Sequence, residues 1–288
     1  KSDFGPEGER FTFTFFLLFI QCGVGCLIAA LFEILFWKRD TNKTEQYKFA
    51  VIAVLYLAAM FASNAALIYV PYPTQVLAKS CKPIPVMIIG FLFLKKHYTI
   101  KEWLFVLLIV TGISMFLLKD KKEVHDVDTL EYFMGVGLLG LSLLCDGFTG
   151  PLQEYIFNRS KPSPVKMMKL NNFYATIICA LGGFVFTSQG MDAINFCQKY
   201  PEVWGNLITI SVLAALGQLC IFLLISNFGA LVCSITTTTR KFFTILVSVI
   251  FYHHHMASRQ WIGVALVFAG LFLNVTSRYM HQPKTVKK

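Results

Sequence analysis

Four cations stand inside otherwise apolar stretches of the chain: Lys79 and Lys82 in the segment 74–94, Arg240 and Lys241 in the segment 230–252. At a bilayer centre each costs about 2.5–3.5 kcal/mol, so four cost roughly 10–14 kcal/mol. Lys82 and Arg240 lie about ten residues into their segments, roughly 15 Å at the rise of an α-helix, and no Lys or Arg stem reaches back that far. Lys79 is nearer its end, within snorkelling range. Lys79 and Lys82 share a helix face at spacing i, i+3. Pro83 and Pro85 follow at once and take away the donors that the carbonyls of Lys79 and Cys81 would meet in a helix. The threonines 236–239 precede Arg240 and supply hydroxyls, Thr237 among them, for backbone or ligand. Cations placed so deep call for an anionic occupant, and phosphate suits Arg and Lys well.

Other polar residues share these apolar surroundings. Asp146 lies mid-segment in Asp146-Gly147-Phe148-Thr149-Gly150-Pro151, where it either pairs with a cation or acts as a gate. Glu33 and Glu154 are expected near an interface. Gln75, Gln218, Ser63 and Asn64 are interior candidates, suited to line a cavity or to bond helix to helix. His253–His255 read as a turn at a segment end rather than a metal tract. Seven of the eight cysteines sit in apolar runs and only Cys197 in an expected loop, with neither a metal spacing nor a disulfide framework. No cofactor is implied.

The elements that position these groups follow from composition. Of 288 residues, 56% are hydrophobic and 15% charged, against roughly 25% charged in soluble domains. Nine segments of bilayer-crossing length are expected, near 13–37, 49–70, 74–94, 101–118, 132–157, 168–188, 204–226, 230–252 and 260–278. The chain is therefore an all-α, multi-span membrane protein embedded in a lipid bilayer. A soluble enzyme, a secreted disulfide scaffold and a nucleic-acid module are excluded, and the net charge of +10 implies no nucleic-acid partner.

An internal repeat is visible. A shift of 158 residues lays Trp103 on Trp261, Gly112 on Gly270 and Lys82 on Arg240, and brings three further segment starts into register. Segment 132–157 then maps before residue 1, so one helix is expected upstream of this fragment. The expected layout is a first repeat at 1–118 with four visible helices, a connection at 119–131, a second repeat of five helices at 132–278, and a tail at 279–288. Five helices per repeat make ten in all, with the two halves inverted, as is common in secondary transporters, so that the two basic clusters face one central cavity. Loops and tail on one side hold 15 Lys and Arg against seven on the other, which points to a cytoplasmic C-terminus. The sequons at Asn42, Asn158 and Asn274 then receive no glycan.

At these residues the chain resembles the nucleotide-sugar transporters, solute carrier family 35, subfamily B, within the drug/metabolite transporter superfamily. The most specific matches run from Tyr72 through Gln75, Lys79, Lys82 and Pro83 to Met87, and from Thr236 through Arg240 and Lys241 to Phe243; Asp146-Gly147-Phe148-Thr149-Gly150 and Leu216-Gly217-Gln218 add to them. The resemblance implies a ten-helix fold, alternating access in the endoplasmic-reticulum membrane (a Golgi location is the alternative), and exchange of UDP-galactose or UDP-glucose, or of ATP for ADP. It implies that Lys79, Lys82, Arg240 and Lys241 hold the phosphates, and that Asn172 matches an Asn near the nucleotide pocket. Charge leaves the cargo open: ATP carries roughly −4 and a UDP-sugar about −2, and four cations partly offset by Asp146 fit ATP or the sulfate donor PAPS slightly better. An enzyme acting on lipid-linked phosphates, or a receptor without transport, are the readings from other classes.

Overall fold

In the computed structural model of the protein the described residues are 3–4, 9–35, 45–117, 129–251 and 258–281. Apart from a two-residue antiparallel pairing of β1 (Asp3–Phe4) with β2 (Glu9–Arg10), every element they form is helical. Among the described residues six helical stretches (14–35, 46–69, 74–94, 130–160, 164–186 and 202–228) are long and apolar enough to cross a membrane, and 259–273 adds a shorter apolar one. Each of the nine expected segments is helical over most of its described residues. The fold is that of an all-α, multi-pass membrane transporter. The chain divides into two compact units, residues 1–61 with 152–230 and residues 62–151 with 231–288. Each draws segments from both halves of the sequence.

The first unit holds α1 (Thr14–Leu35), most of α2 (Gln46–Tyr69), the end of α6 (Thr129–Ser160), α7 (Pro164–Ala180), a π turn (Leu181–Val185), α8 (Gln189–Lys199) and α9 (Glu202–Phe228). Helix α1 packs along α7 and α9, and Leu18, Cys22, Ala53, Leu57, Ala175 and Cys179 fill the space between the helices. Helix α7 starts cleanly because Pro164 has no amide hydrogen to leave unsatisfied and the Ser163 hydroxyl accepts from the amide of Lys166 at 3.2 Å.

Helix α8 corrects an expectation. The connection containing Cys197 is not a loop. Ala193 and Cys197 are one turn apart and both fully buried, while Asp192, Asn195, Gln198 and Lys199 are exposed. Asp192 in the first turn and Lys199 in the last oppose the helix dipole. The buried face joins an aromatic cluster of Phe11, Phe13, Phe16, Phe196, Tyr200 and Trp204, and burial pushes the Cys197 thiol above its ordinary pKa.

The second unit holds the end of α2, α3 (Tyr72–Ser80), α4 (Pro83–Leu94), α5 (Ile100–Leu117), most of α6, and α10 (Ala230–Phe251) and α11 (Ser258–His281). Its tightest seam joins α5 to α11. A Cβ on Gly112 would sit 2.7 Å from the Gly263 carbonyl oxygen, and one on Gly263 would sit 2.6 Å from the Gly112 carbonyl oxygen. A Cβ on Gly270 would meet Ile109 at 2.8 Å and the Phe105 carbonyl at 3.2 Å. Small residues let two backbones touch where oil offers no drive for association. The contacts are reciprocal: Gly112 meets positions 263 and 267, and Gly270 meets positions 105 and 109, the positions that the 158-residue shift exchanges.

The prolines split the expected segment 74–94 into α3 and α4. At the break, Cys81 N–H donates to Ala78 O at 3.0 Å, Lys82 N–H to Lys79 O at 3.4 Å, Ile84 N–H to Cys81 O at 3.0 Å and Val86 N–H to Lys82 O at 3.3 Å. The Lys79 and Cys81 carbonyls thus lose their fourth-neighbour donors, as expected, and recover third-neighbour ones.

The expected connection 119–131 and tail 279–288 fall largely outside the described residues, and Asn42 and His253–His255 wholly so. Asn158 lies in the last turn of α6.

Candidate functional site

The break between α3 and α4 holds Lys79 in the last turn of one helix and Lys82 at the start of the next. Both reach the same partner. Lys79 Nζ donates to Asp146 Oδ2 at 3.3 Å and Lys82 Nζ to Asp146 Oδ1 at 3.3 Å. The side chains are 17%, 31% and 15% exposed for Lys79, Lys82 and Asp146, so the group is partly sheltered. Gly147 makes this approach possible: a Cβ there would lie 2.9 Å from Pro85 Cβ and from Ile89 Cδ1. Glycine lets α6 rest on α4 just past the break, which brings Asp146 level with both lysines. Gly147→Leu would wedge the two helices apart; an overpacked contact costs about 1–3 kcal/mol, so a lower melting temperature in detergent is expected.

Helix α10 adds the other two cations. Arg240 lies mid-helix and exposed, and Lys241 is half-buried. Lys241 is within Coulombic reach of Lys82, Lys79 and Asp146 as well as Arg240. Among the described residues, Asp146 is the one carboxylate at ion-pair distance from any of the four cations. The group therefore keeps a positive excess, the condition for holding an anion.

The threonine hydroxyls are used locally. Thr237 Oγ1 donates to Cys233 O at 2.9 Å and Ser234 O at 3.1 Å, and Thr239 Oγ1 to Ile235 O at 2.7 Å, the back-bonding usual for such residues in helices. Gln75 is buried and donates its amide to the carbonyl and the hydroxyl of Ser63, each at 2.8 Å. It ties α3 to α2.

Asn172 and Gln218 belong to the first unit and bond each other, Asn172 Nδ2 to Gln218 Oε1 at 2.8 Å. Gly25 makes room for them, since a Cβ there would meet Asn172 Nδ2 at 2.7 Å. Two carboxylates expected near an interface have defined partners. Glu33 on α1 accepts from Lys169 on α7. Glu154 Oε2 accepts from the amide of Ala230 at 2.9 Å and so caps α10; it stands against Gly229, whose φ of 85° favours glycine. The glycines at 25, 147 and 229 carry no chemistry of their own, yet each makes room for the placement of a polar side chain, Asn172, Asp146 and Glu154 in turn.

The UAA transporter family model matches residues 3–278. Solute carrier family 35 member B1 of Xenopus tropicalis is 42% identical over 94% of this chain and 84% of its own length, and the Rattus norvegicus protein 42% over 94% and 83%. The Drosophila melanogaster homologue is 42% identical over 94% of this chain and 79% of its own. A solved crystal structure of 11% sequence identity overlays with a TM-score of 0.67, covering 93% of this chain and 89% of that one, a likeness in fold alone. With a family of carriers matched over nearly its whole length, the protein is a transporter and not an enzyme, and it belongs to the UAA transporter family, among the nucleotide-sugar transporters of solute carrier family 35, subfamily B.

Proposed function

We propose that the protein is an endoplasmic-reticulum antiporter that exchanges nucleotides or nucleotide sugars by alternating access, its C-terminus cytoplasmic, with Lys79, Lys82, Arg240 and Lys241 holding the phosphates. The observation that carries this reading is the pair Lys79 and Lys82 sharing one carboxylate, with Lys241 near enough to feel all three charges and Arg240 beside it, in a membrane-embedded unit. A positive excess in low dielectric is stable only with an anionic guest or water beside it. Asp146 belongs to the same site, and Gln75 and Thr237 shape its wall from α3 and α10. The reciprocal glycine contacts between α5 and α11 support the division into repeats at 1–118 and 132–278, because related helices meet in related ways. The positive excess favours a highly charged cargo, ATP exchanged for ADP, over UDP-galactose or UDP-glucose.

The test is counterflow. The purified protein is placed in liposomes preloaded with ADP, UMP or adenosine 3′,5′-bisphosphate and offered labelled ATP, UDP-galactose or PAPS. Uptake of ATP that requires internal ADP is expected. Uptake of UDP-galactose against UMP alone, or of PAPS against the bisphosphate alone, reassigns the cargo; absence of uptake with every pair sinks the antiport.

A further inference from the structure

We propose that Asp146 is a built-in stand-in for nucleotide phosphate: in the empty carrier it occupies Lys79 and Lys82, and the incoming phosphate must take both ammonium groups from it. The inference deepens the phosphate-site reading above and rests on it.

The geometry is that of a surrogate ligand. Each carboxylate oxygen serves one ammonium, Oδ2 for Lys79 and Oδ1 for Lys82. A phosphoryl group offers the same pair of oxygens on one central atom, with a further oxygen and more charge for Lys241 or Arg240. Both contacts measure 3.3 Å, longer than the roughly 2.7–2.9 Å of a well-made charge-assisted bond, so the pair is held loosely enough to exchange.

The parts that move are the lysines. The Asp146 backbone is pinned where Gly147 presses on Pro85 and Ile89, and the Thr149 hydroxyl bonds the Cys145 carbonyl at 2.8 Å. The lysines have long flexible stems that can turn from a fixed carboxylate towards a guest. Two functions follow. The carboxylate keeps two neighbouring ammonium groups from repelling each other in the empty carrier, and it weakens binding by the fraction of time the lysines are engaged. A carrier needs that weakening, since cargo held too tightly on one face is never released on the other.

Binding of labelled ATP to the purified full chain in detergent, with inorganic pyrophosphate as competitor, tests this. Asp146→Asn should bind both probes about tenfold more tightly, and Lys79→Gln or Lys82→Gln should lose most binding. Adding Asp146→Asn to Lys79→Gln should bring affinity back towards that of the unaltered protein. This double variant removes one charge of each sign, so it can be measured even if Asp146→Asn alone does not fold. Unchanged or weaker binding by Asp146→Asn, or no recovery in the double variant, overturns the stand-in role while leaving the lysines as phosphate ligands. Normal binding by both lysine variants is a different result: it removes the phosphate site, and the inference with it.

Discussion

Arg240→Gln and Lys82→Gln are each expected to abolish the proposed nucleotide exchange while leaving insertion and folding intact. Removing the cation from a desolvated, hydrogen-bonded pair with bound phosphate costs about 2–5 kcal/mol, at least on the order of a 30-fold loss of affinity. Arg240 has the cleaner expected effect. Its side chain is exposed and carries no ion pair among the described residues, so the native fold loses little when the charge goes. Arg240→Lys keeps the charge but not the planar fork, and retains part of the activity. The measurement is exchange in proteoliposomes, normalised to folded protein by gel filtration. Full exchange by both glutamine variants removes these cations from the transport cycle.

Gly263→Leu has the largest expected effect on stability. Its Cβ would lie 2.6 Å from the Gly112 carbonyl oxygen and 2.9 Å from the Phe116 amide nitrogen. Both are backbone atoms that cannot rotate away, so α5 and α11 must separate along their tightest seam. The cost is about 3 kcal/mol, with the seam's packing lost on both sides. Gly137→Ala is the control: nothing lies within 4 Å of a Cβ there, and alanine favours a helix by about 1 kcal/mol over glycine. Thermal unfolding in detergent should show a large drop for the first variant and no drop for the second.

The helices were legible because each is an apolar run of bilayer-crossing length, and oil permits a lone run of that kind only one backbone conformation. The cations were legible for the same reason: a charge in an apolar run is conspicuous without knowledge of its neighbours. What they touch was legible only in outline: pairing with a cation was one of two expectations for Asp146, and which cations was not stated. Lys79 and Asp146 are 67 residues apart, and no local pattern states that α6 rests on α4; the clue was Gly147, which reads as an ordinary glycine until the opposing helix is known. Gln75 and Ser63 were both expected to be interior, but their bond depends on the corner between α2 and α3. Helix α8 escaped notice because its apolar face, Ala193, Ile194 and Cys197, is short and its polar face resembles a connecting loop. The two compact units were also hidden, since each collects segments from both halves of the sequence.

The proline break has a consequence for selectivity. Many anion sites use the bare amides at the start of a helix, a rigid fork that measures the shape of what it holds. Here Pro83 and Pro85 have no amide hydrogen, and those of Ile84 and Val86 are spent on Cys81 and Lys82. The beginning of α4 can offer an anion no main-chain hand. The lysines beside it are point charges on swinging arms that set no shape requirement on the phosphate they close on. A transporter built this way weighs charge but not shape at that end, and must tell passengers of like charge apart by the base or the sugar.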